Sequence, residues 1–360
     1  MKVVVLEKDY MARHASGSNA GSVHHISRLV PELPLAEVAL TMWNEIEALL
    51  DDDCGFQRVG HLKLAESPVD LESMIAAAER LRSACGIVEQ FVEADRLRDI
   101  VPELGRGHVG AIFSPHCGQA QPARTVRAMR RKAQRHGTTF VEGVEVREVG
   151  RRAGVWEATG KGETYSAPVL VNCAGAWGGT ISACVGEPVA LTPLALMVTA
   201  LSPMRRLLGP VIGLASRLLS VKQFNNGSVV VGGGYRGTPL LAEGRAELDY
   251  GKLGYNLQAA VETLPHLKAG KIVRCWAGLE GRSPDGLPII GPSATELGLW
   301  HAFGFSTHGF FLGPAVGRMI ADEILGLPAR LSLAPFGIGR FLALTVHSRA
   351  TALQIRNQEI

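Results

Sequence analysis

Apolar and polar positions along this chain follow two periods, and the changes from one to the other mark its elements. The apolar run from Val3 to Leu6 stops at Glu7, which predicts a short buried strand with a carboxylate at its end. Leu35 to Leu50 and Val69 to Cys85 carry apolar residues at helical spacing, and Leu62 to Ala65 between them suits a strand. Ile87 to Phe91 is strand-like, Ala94 to Val101 is a short helix before Pro102, and Gly110 to Ser114 is a strand. Pro122 to His136 reads as a basic helix, Thr139 to Val149 as a strand pair, and Val155 to Ala158 with Thr164 to Tyr165 as a hairpin. Pro168 to Cys173 is a buried strand. From Val189 the pattern turns antiparallel. Val189 to Ala200 and Leu218 to Phe224 are extended, and Asn225-Asn226-Gly227 turns the chain into Ser228 to Gly232. Gly232-Gly233-Gly234 breaks that strand where another chain segment or a ligand approaches closely. Ala246 to Leu264 is a helix stopped by Pro265, and Lys271 to Leu279 is a returning strand.

The stretch from Trp276 to Asp322 holds two turn-rich loops, an apolar strand at Leu297 to Phe303, and a helix expected to open at Gly313-Pro314. Proline suits a first helical turn, where its missing N–H is not needed. Val316, Ile320 and Ile324 put one helix face on a core, and Gly326 and Pro328 supply the stop. A helix start behind a glycine-rich loop offers free N–H groups to an electron-rich ligand, although a strand-turn-helix packing unit uses the same residues. Ala15 to Gly21 is a small polar loop whose amides suit a phosphate or a ring, or a plain flexible loop. Val171 to Trp177 runs a strand into Ala174-Gly175-Ala176, where a flat ligand can lie on the backbone at the carboxyl end of a parallel sheet.

With 360 residues, the chain suits two interleaved domains, and 46% hydrophobic with 20% charged residues is ordinary for a globular enzyme. A net charge of +3 with no aromatic-basic stripe argues against nucleic acid. The arginines of Pro122 to His136 read as a solvated face. Six scattered cysteines without a CxxC pair look like thiols in a reducing compartment, with no metal cage. No apolar run is long enough for a transmembrane helix, the N-terminus lacks a signal peptide, and the expected compartment is cytoplasmic.

These blocks together resemble the FAD-dependent amino-acid oxidoreductases of the D-amino-acid oxidase, glycine oxidase and sarcosine oxidase group. The resemblance rests on the strand ending at Glu7, the Ala15 to Gly21 loop, and Val171 to Trp177. It rests also on Arg274 to Gly278, and above all on the C-terminal pair Ser283 to Gly291 and Gly304 to Gly317. Gly278-Leu279-Glu280-Gly281 with Phe305 to Phe310 looks most like the FAD subunits of opine oxidases and hydrogen cyanide synthase, which implies hetero-oligomeric partner subunits. The implied fold class is α/β with an α+β substrate domain. A split Rossmann-like FAD-binding domain occupies residues 1–50, 116–187 and 276–330. An antiparallel-sheet substrate domain occupies 51–115 and 188–275, and 331–360 is a tail of no assigned role. The first strand, the G-x-G-x-x-G turn and the first helix of such a unit should precede Glu7 and are not in the sequence. A start set too late, a remnant, or weak FAD binding each fits that.

The resemblance implies non-covalent FAD and a small amine or amino-acid substrate. Glu7 would hold the adenosine ribose, Val144 would touch adenine, and Ser16, Asn19, Ala20 and Gly21 would sit by pyrophosphate and flavin. Ala174, Gly175 and Trp177 would line the second half, and Gly304, His308, Gly309, Phe310 and Phe311 would lie under the ring. The implied chemistry is oxidation of a C–N bond by hydride transfer to flavin. His308, Arg282, Glu280 and Tyr235 are the candidate catalytic residues, with Arg236 a further cation. Glu280 departs from the family pattern, because glycine oxidases carry a carboxylate-clamping arginine there. Arg282 can compensate, or Glu280 can face a cationic part of an opine-like substrate. Cys275 is misplaced for a covalent tether. The alternative reading is a catalytically impaired subunit with an assembly role.

Overall fold

The computed structural model describes residues 1–25 and 29–342. Most of the expected tail, from residue 343 onward, therefore lies outside the described residues. Its centre is an eight-stranded mixed sheet. In spatial order the strands are Ile272–Arg282, Thr192–Leu201, Val229–Gly232, Ser220–Gln223, Val211–Leu214, His61–Ala65, Gly110–Ser114 and Gln90–Glu93. All neighbouring pairs are antiparallel except Val211–Leu214 with His61–Ala65. Side chains alternate between the faces of a strand. Leu62, Leu64, Ile212, Leu214, Val221, Val229 and Val231 accordingly fill one face, where Ala259, Ala260 and Leu264 of the helix Tyr250–Thr263 cover them. The opposite face carries His61, Lys63, Ser220 and Lys222, and the Ala15–Val23 segment lies over part of it.

A second body holds the shorter parallel pairings. Val4–Glu7 runs parallel to Thr139–Glu142, and Leu170–Asn172 runs parallel to Leu299–Phe303, which also pairs with Ile289–Pro292. Helices Leu33–Asn44 and Gly309–Ile324 close its core. Trp43 is fully buried there, donates its indole N–H to the Phe311 carbonyl at 2.9 Å, and packs against the rings of Phe56 and Phe310. The Pro122–Arg135 helix bears on the site only indirectly. Its Arg124 and Arg131 meet Asp52 at 2.7 and 2.6 Å, and Lys132 and Arg135 meet Asp51, so an acidic turn neutralises that face.

Three expectations change. Thr139 to Val149 is not a strand pair: Thr139–Glu142 joins Val4–Glu7, and Glu148–Arg152 pairs with Val155–Gly160, because Gly143 (φ +75°) turns the chain away. The expected helix Ala246 to Leu264 starts only at Tyr250, where Asp249 caps it through the Lys252 N–H at 3.0 Å. The last helix opens at Gly309, so Pro314 sits inside it. Proline there, in the second turn, leaves the Phe310 carbonyl without its intrahelical donor and crowds it.

Trp43→Ala removes a filled volume and a buried hydrogen-bond donor at the junction of both helices. A loss of about 3–5 kcal/mol in denaturant unfolding is expected, and a loss below about 1 kcal/mol would show that this junction does not hold the second body.

Candidate functional site

The strand Ile272–Arg282 brings the distant blocks together. On one face it presents Trp276, Gly278 and Glu280, two residues apart. Trp276 donates its indole N–H to the Ser18 carbonyl at 2.7 Å. A Cβ on Gly278 would overlap the Ser18 hydroxyl, so only glycine lets the loop come this close. Gly281 lies against Ala176, where a Cβ would fall 3.0 Å from Cα. Arg282 forms a backbone bridge with Phe305. Where a polar loop was expected, Ala15–Ser18 is one helical turn leading into Asn19–Gly21; this segment, the turn Ala174–Trp177 and the loop Gly304–His308 converge on one strand.

The Gly304–His308 loop is backbone-strained. Gly304, Ser306 and Thr307 have φ of +67°, +50° and +79°, a left-handed conformation that non-glycine residues adopt rarely. Ser306 is held there by its hydroxyl, which accepts the Ser283 N–H at 3.1 Å and donates to the Gly304 carbonyl at 3.2 Å. The Thr307 N–H donates to the Glu280 carboxylate. Glu280 is half-buried, and burial raises its carboxyl to about 7, against the opposing pull of Thr307 and of Arg236. His308 follows as the N-terminal cap position of Gly309–Ile324. Its Nδ1 lies 2.8 Å from Glu32, a carboxylate with no solvent exposure. Glu32 is a site residue that sequence reasoning missed. It stands in Pro31-Glu32-Leu33-Pro34, which carries no motif, and only tertiary packing brings it to His308.

The other end is built on Glu7. Its Oε1 accepts the Asp9 N–H at 2.9 Å, and burial raises its carboxyl above the ordinary range. Val144 is buried beside it and donates its N–H to the Glu7 carbonyl at 2.8 Å. Lys8 lies over the Trp177 ring at 3.9 Å, and His14 packs on the same ring at 5.0 Å. A run of contacts therefore leads from Glu7 through Trp177, Gly281 and Phe305 to His308. Within it, Asn19 is spent on the loop itself, bonding the carbonyls of Ala15 and Ser16 and the Gly21 N–H at 2.9, 3.0 and 2.8 Å. Gly21 (φ +77°) sits over the Ala120 carbonyl, and Ala20 faces Gly232.

Several predicted residues fall elsewhere. Phe311 is a core residue at 1% exposure, and Phe310 stacks against Trp43. Arg282 and Arg236 are exposed, and Tyr235 is half-buried with its carbonyl accepting the Met197 N–H at 3.0 Å. The Gly233 break admits a chain segment: a Cβ there would meet the Leu219 backbone at 2.5 Å. Cys275 points to the face opposite Trp276, with its thiol 3.5 Å from the Thr199 hydroxyl. A second missed group supports the Ala174 turn. His301 Nε2 lies 2.9 Å from Glu187, both fully enclosed, while Asn172 reaches the Gly178 carbonyl at 2.9 Å and the His301 ring at 3.4 Å. Burial opposes ionisation of Glu187, but hydrogen bonds from His301 and Ser293 hold its carboxyl below the ordinary value. No group of acidic, histidine and cysteine side chains suited to a metal occurs among the described residues, nor does a helix long and apolar enough to cross a membrane.

Glu280 makes a pH prediction. Its folded-state pKa of about 7 exceeds its ordinary value of 4.5, so the folded protein holds the proton more tightly than the unfolded chain. Stability from this group is full below about 4.5 and is lost as pH rises to about 7. Melting temperatures of Glu280→Gln should lack that part of the wild-type decline between pH 5 and 7. Parallel curves for the two proteins would mean that Glu280 does not titrate there.

Residues 1–323 match the family described as DAO, FAD dependent oxidoreductase. The chain is 29% identical over 276 residues to glycine oxidase of Bacillus licheniformis, covering 75% of this chain and 70% of that one. It is 27% identical over 261 residues to the hydrogen cyanide synthase subunit HcnC of Pseudomonas aeruginosa, covering 70% of this chain and 60% of that one. The crystal structure of glycine oxidase from Geobacillus kaustophilus superposes with a TM-score of 0.86 at 22% identity, over 94% of this chain and 91% of that one. The fold is thus that of the FAD-dependent oxidoreductases, with a Rossmann-like cofactor domain, and this chain belongs to the FAD-dependent oxidoreductase family.

Proposed function

We propose that the chain oxidises the C–N bond of a small amino acid or secondary amine, in the class of glycine, sarcosine, D-amino acids or opine-like compounds. The observation that carries this reading is the Thr307–Glu280 contact at the head of Gly309–Ile324, placed by one strand beside the Ser18 and Ala176 backbones. FAD, when bound, supplies the hydride acceptor for such a reaction.

The donor set fits that group. Glu7 closes a parallel strand with an acid, as a ribose-binding residue does. Val144 and Trp177 offer apolar and aromatic surface, and the helix start at Gly309 offers N–H groups without intrahelical partners and the positive end of a dipole. Ser16, Ala20, Gly21, Ala174, Gly175 and Gly304 would bring backbone close to the ring. Cys275 faces away from this side, which supports non-covalent binding.

The chain's own residues then have distinct tasks. An amine substrate enters largely as its ammonium form and must shed a proton before its carbon can release hydride. Glu280, with a carboxyl poised near 7, takes that proton at a carboxylate oxygen. Arg236, Arg282 and Tyr235 flank it as candidates for holding the substrate's carboxylate. Glu32 positions the His308 ring through the buried Nδ1 contact. HcnC is by its name one subunit of hydrogen cyanide synthase, which supports a hetero-oligomeric setting for this chain.

Purified protein should take up FAD and show a flavin absorbance spectrum, and at least one amine of the class should bleach it under anaerobic conditions. Absence of flavin uptake would favour the alternative of an assembly subunit. Flavin that no amine bleaches would contradict the substrate class. Glu280→Gln should slow bleaching about 10²-fold with flavin still bound, and an unchanged rate would remove Glu280 from proton transfer.

A further inference from the structure

Arg340 lies beyond the residues that the family model matches, in a part of the chain that the reading above leaves without a task. Around it the chain is well packed. Leu333 and Phe336 are buried in the core that holds Trp43 and Phe311, and Ile338 and Phe341 are buried with Ile289 and Phe303. Apolar burial thus seats residues 333–341 against the loop that joins Ile272–Arg282 to Ile289–Pro292. Arg340 is the polar member of that seat. Its Nε and Nη2 donate to the Asp285 carboxylate at 2.8 and 3.3 Å. Nη2 also reaches the Leu287 and Pro288 carbonyls at 2.9 and 3.1 Å, and Nη1 reaches those of Phe336 and Gly337 at 2.6 and 3.0 Å. The planar guanidinium clamps two chain segments at once, which the point charge of a lysine does not reproduce.

Hydrogen bonds carry this clamp to the candidate site. Burial opposes a charge on Asp285, but its bond to Arg340 and three further favourable contacts outweigh burial and hold the carboxyl below the ordinary range. An ionised carboxylate only accepts. Asp285 therefore takes the Ser283 hydroxyl proton at 3.2 Å and the Leu287 N–H at 3.0 Å. With its proton committed there, the Ser283 hydroxyl turns lone pairs toward the Ser306 hydroxyl 3.1 Å away, and the Ser283 N–H donates to the same Ser306 oxygen at 3.1 Å. Ser306 (φ +50°) and Thr307 (φ +79°) are the left-handed residues that bring the Thr307 N–H to Glu280. Such backbone at residues with side chains is unfavourable and persists only where the surroundings hold it. Ser283 supplies that hold, and Arg340 fixes the loop that carries Ser283.

We propose that Arg340 is a positioning residue for the candidate site: through Asp285 and Ser283 it holds the Ser306–Thr307 backbone that aims an N–H at Glu280. Its grip on that backbone follows from the contacts alone, whereas its effect on proton transfer rests on the reading of Glu280 as the proton acceptor. The Thr307 N–H and the Arg236 guanidinium both favour the ionised Glu280 carboxylate against its burial. The other charged groups on these elements are Arg282, two residues along the strand, and His308 with Glu32 beside Thr307. Loosening Thr307 removes one of the two favourable pulls, so the carboxyl rises and Glu280 becomes a base only at higher pH.

Amide exchange of the whole chain without FAD reads the grip on the backbone. Arg340→Met keeps an apolar stem and removes the clamp. Exchange across residues 304–308 should speed up about tenfold, while the central strand Thr192–Leu201 keeps its wild-type rate. A merely structural role would speed both. Arg340→Lys, which keeps the charge without the fork, should fall between. Asp285→Asn should speed the same residues, and the double variant should be no faster than the faster single one, because both act along one path. In the FAD-loaded chain, the rise of anaerobic bleaching with pH, read with glycine and sarcosine, should move up by about one pH unit in Arg340→Met. Wild-type exchange across residues 304–308 in folded Arg340→Met would overturn the proposal. Fast exchange there with an unmoved pH profile, or with no bleaching by either amine, would uphold the positioning and count against Glu280 as acceptor. If Arg340→Met does not fold, Arg340→Lys and Asp285→Asn decide by the same reading, and wild-type exchange in both defeats the proposal.

Discussion

Everything at the candidate site hangs from the backbone of Ile272–Arg282. Its pairing with Thr192–Leu201 fixes which side chains face which way, and strand alternation does the rest. Trp276 and Gly278 receive the Ser18 loop, Glu280 receives the Thr307 N–H, and Gly281 and Arg282 meet the Ala176 turn and Phe305. A one-residue slip would send Glu280 and Gly278 into the apolar core and bring Leu279 to the loop. Burial of the other face opposes that slip, since Leu279 and its ladder partner Ala195 are buried there and a carboxylate in that place would be desolvated.

Two polar pairs brace the second body around this strand's contacts. Glu32 with His308, and Glu187 with His301, are each buried carboxylates beside an imidazole. Neither adds much net stability, because desolvation offsets the attraction. Their effect is to fix ring orientation and turn geometry. Ser306 and Thr307 stay in left-handed backbone because Ser283 and Glu280 bond them in place. Strain held by side-chain bonds at the head of a helix is a common mark of a ligand site.

Much of this was legible in the sequence, where signals are local. The alternation from Val189 onward marked the antiparallel sheet, and Asn225-Asn226-Gly227 marked its hairpin. Gly278, Gly281 and Gly304 entered through the family resemblance, and each lies where a side chain would collide or a positive φ is required. Glu32, Glu187 and Lys222 were not legible. A buried charged residue has the same letters as a solvated one, and its partner lies far off in the chain: Glu32 is 276 residues from His308. The helix start was misplaced for a related reason. Pro314 has a local preference for a first turn, but the Phe305–His308 bond at 2.9 Å nucleates the helix before it.

Amide hydrogen exchange with and without FAD tests the central claim most directly, namely that one strand gathers three segments around a flavin. Protection should rise together in Ser16–Gly21, Ala174–Trp177 and Gly304–Phe311, with little change in Gln90–Glu93 at the far edge of the sheet. Protection confined to one of those segments, or no change in any of them at saturating FAD, would contradict the account.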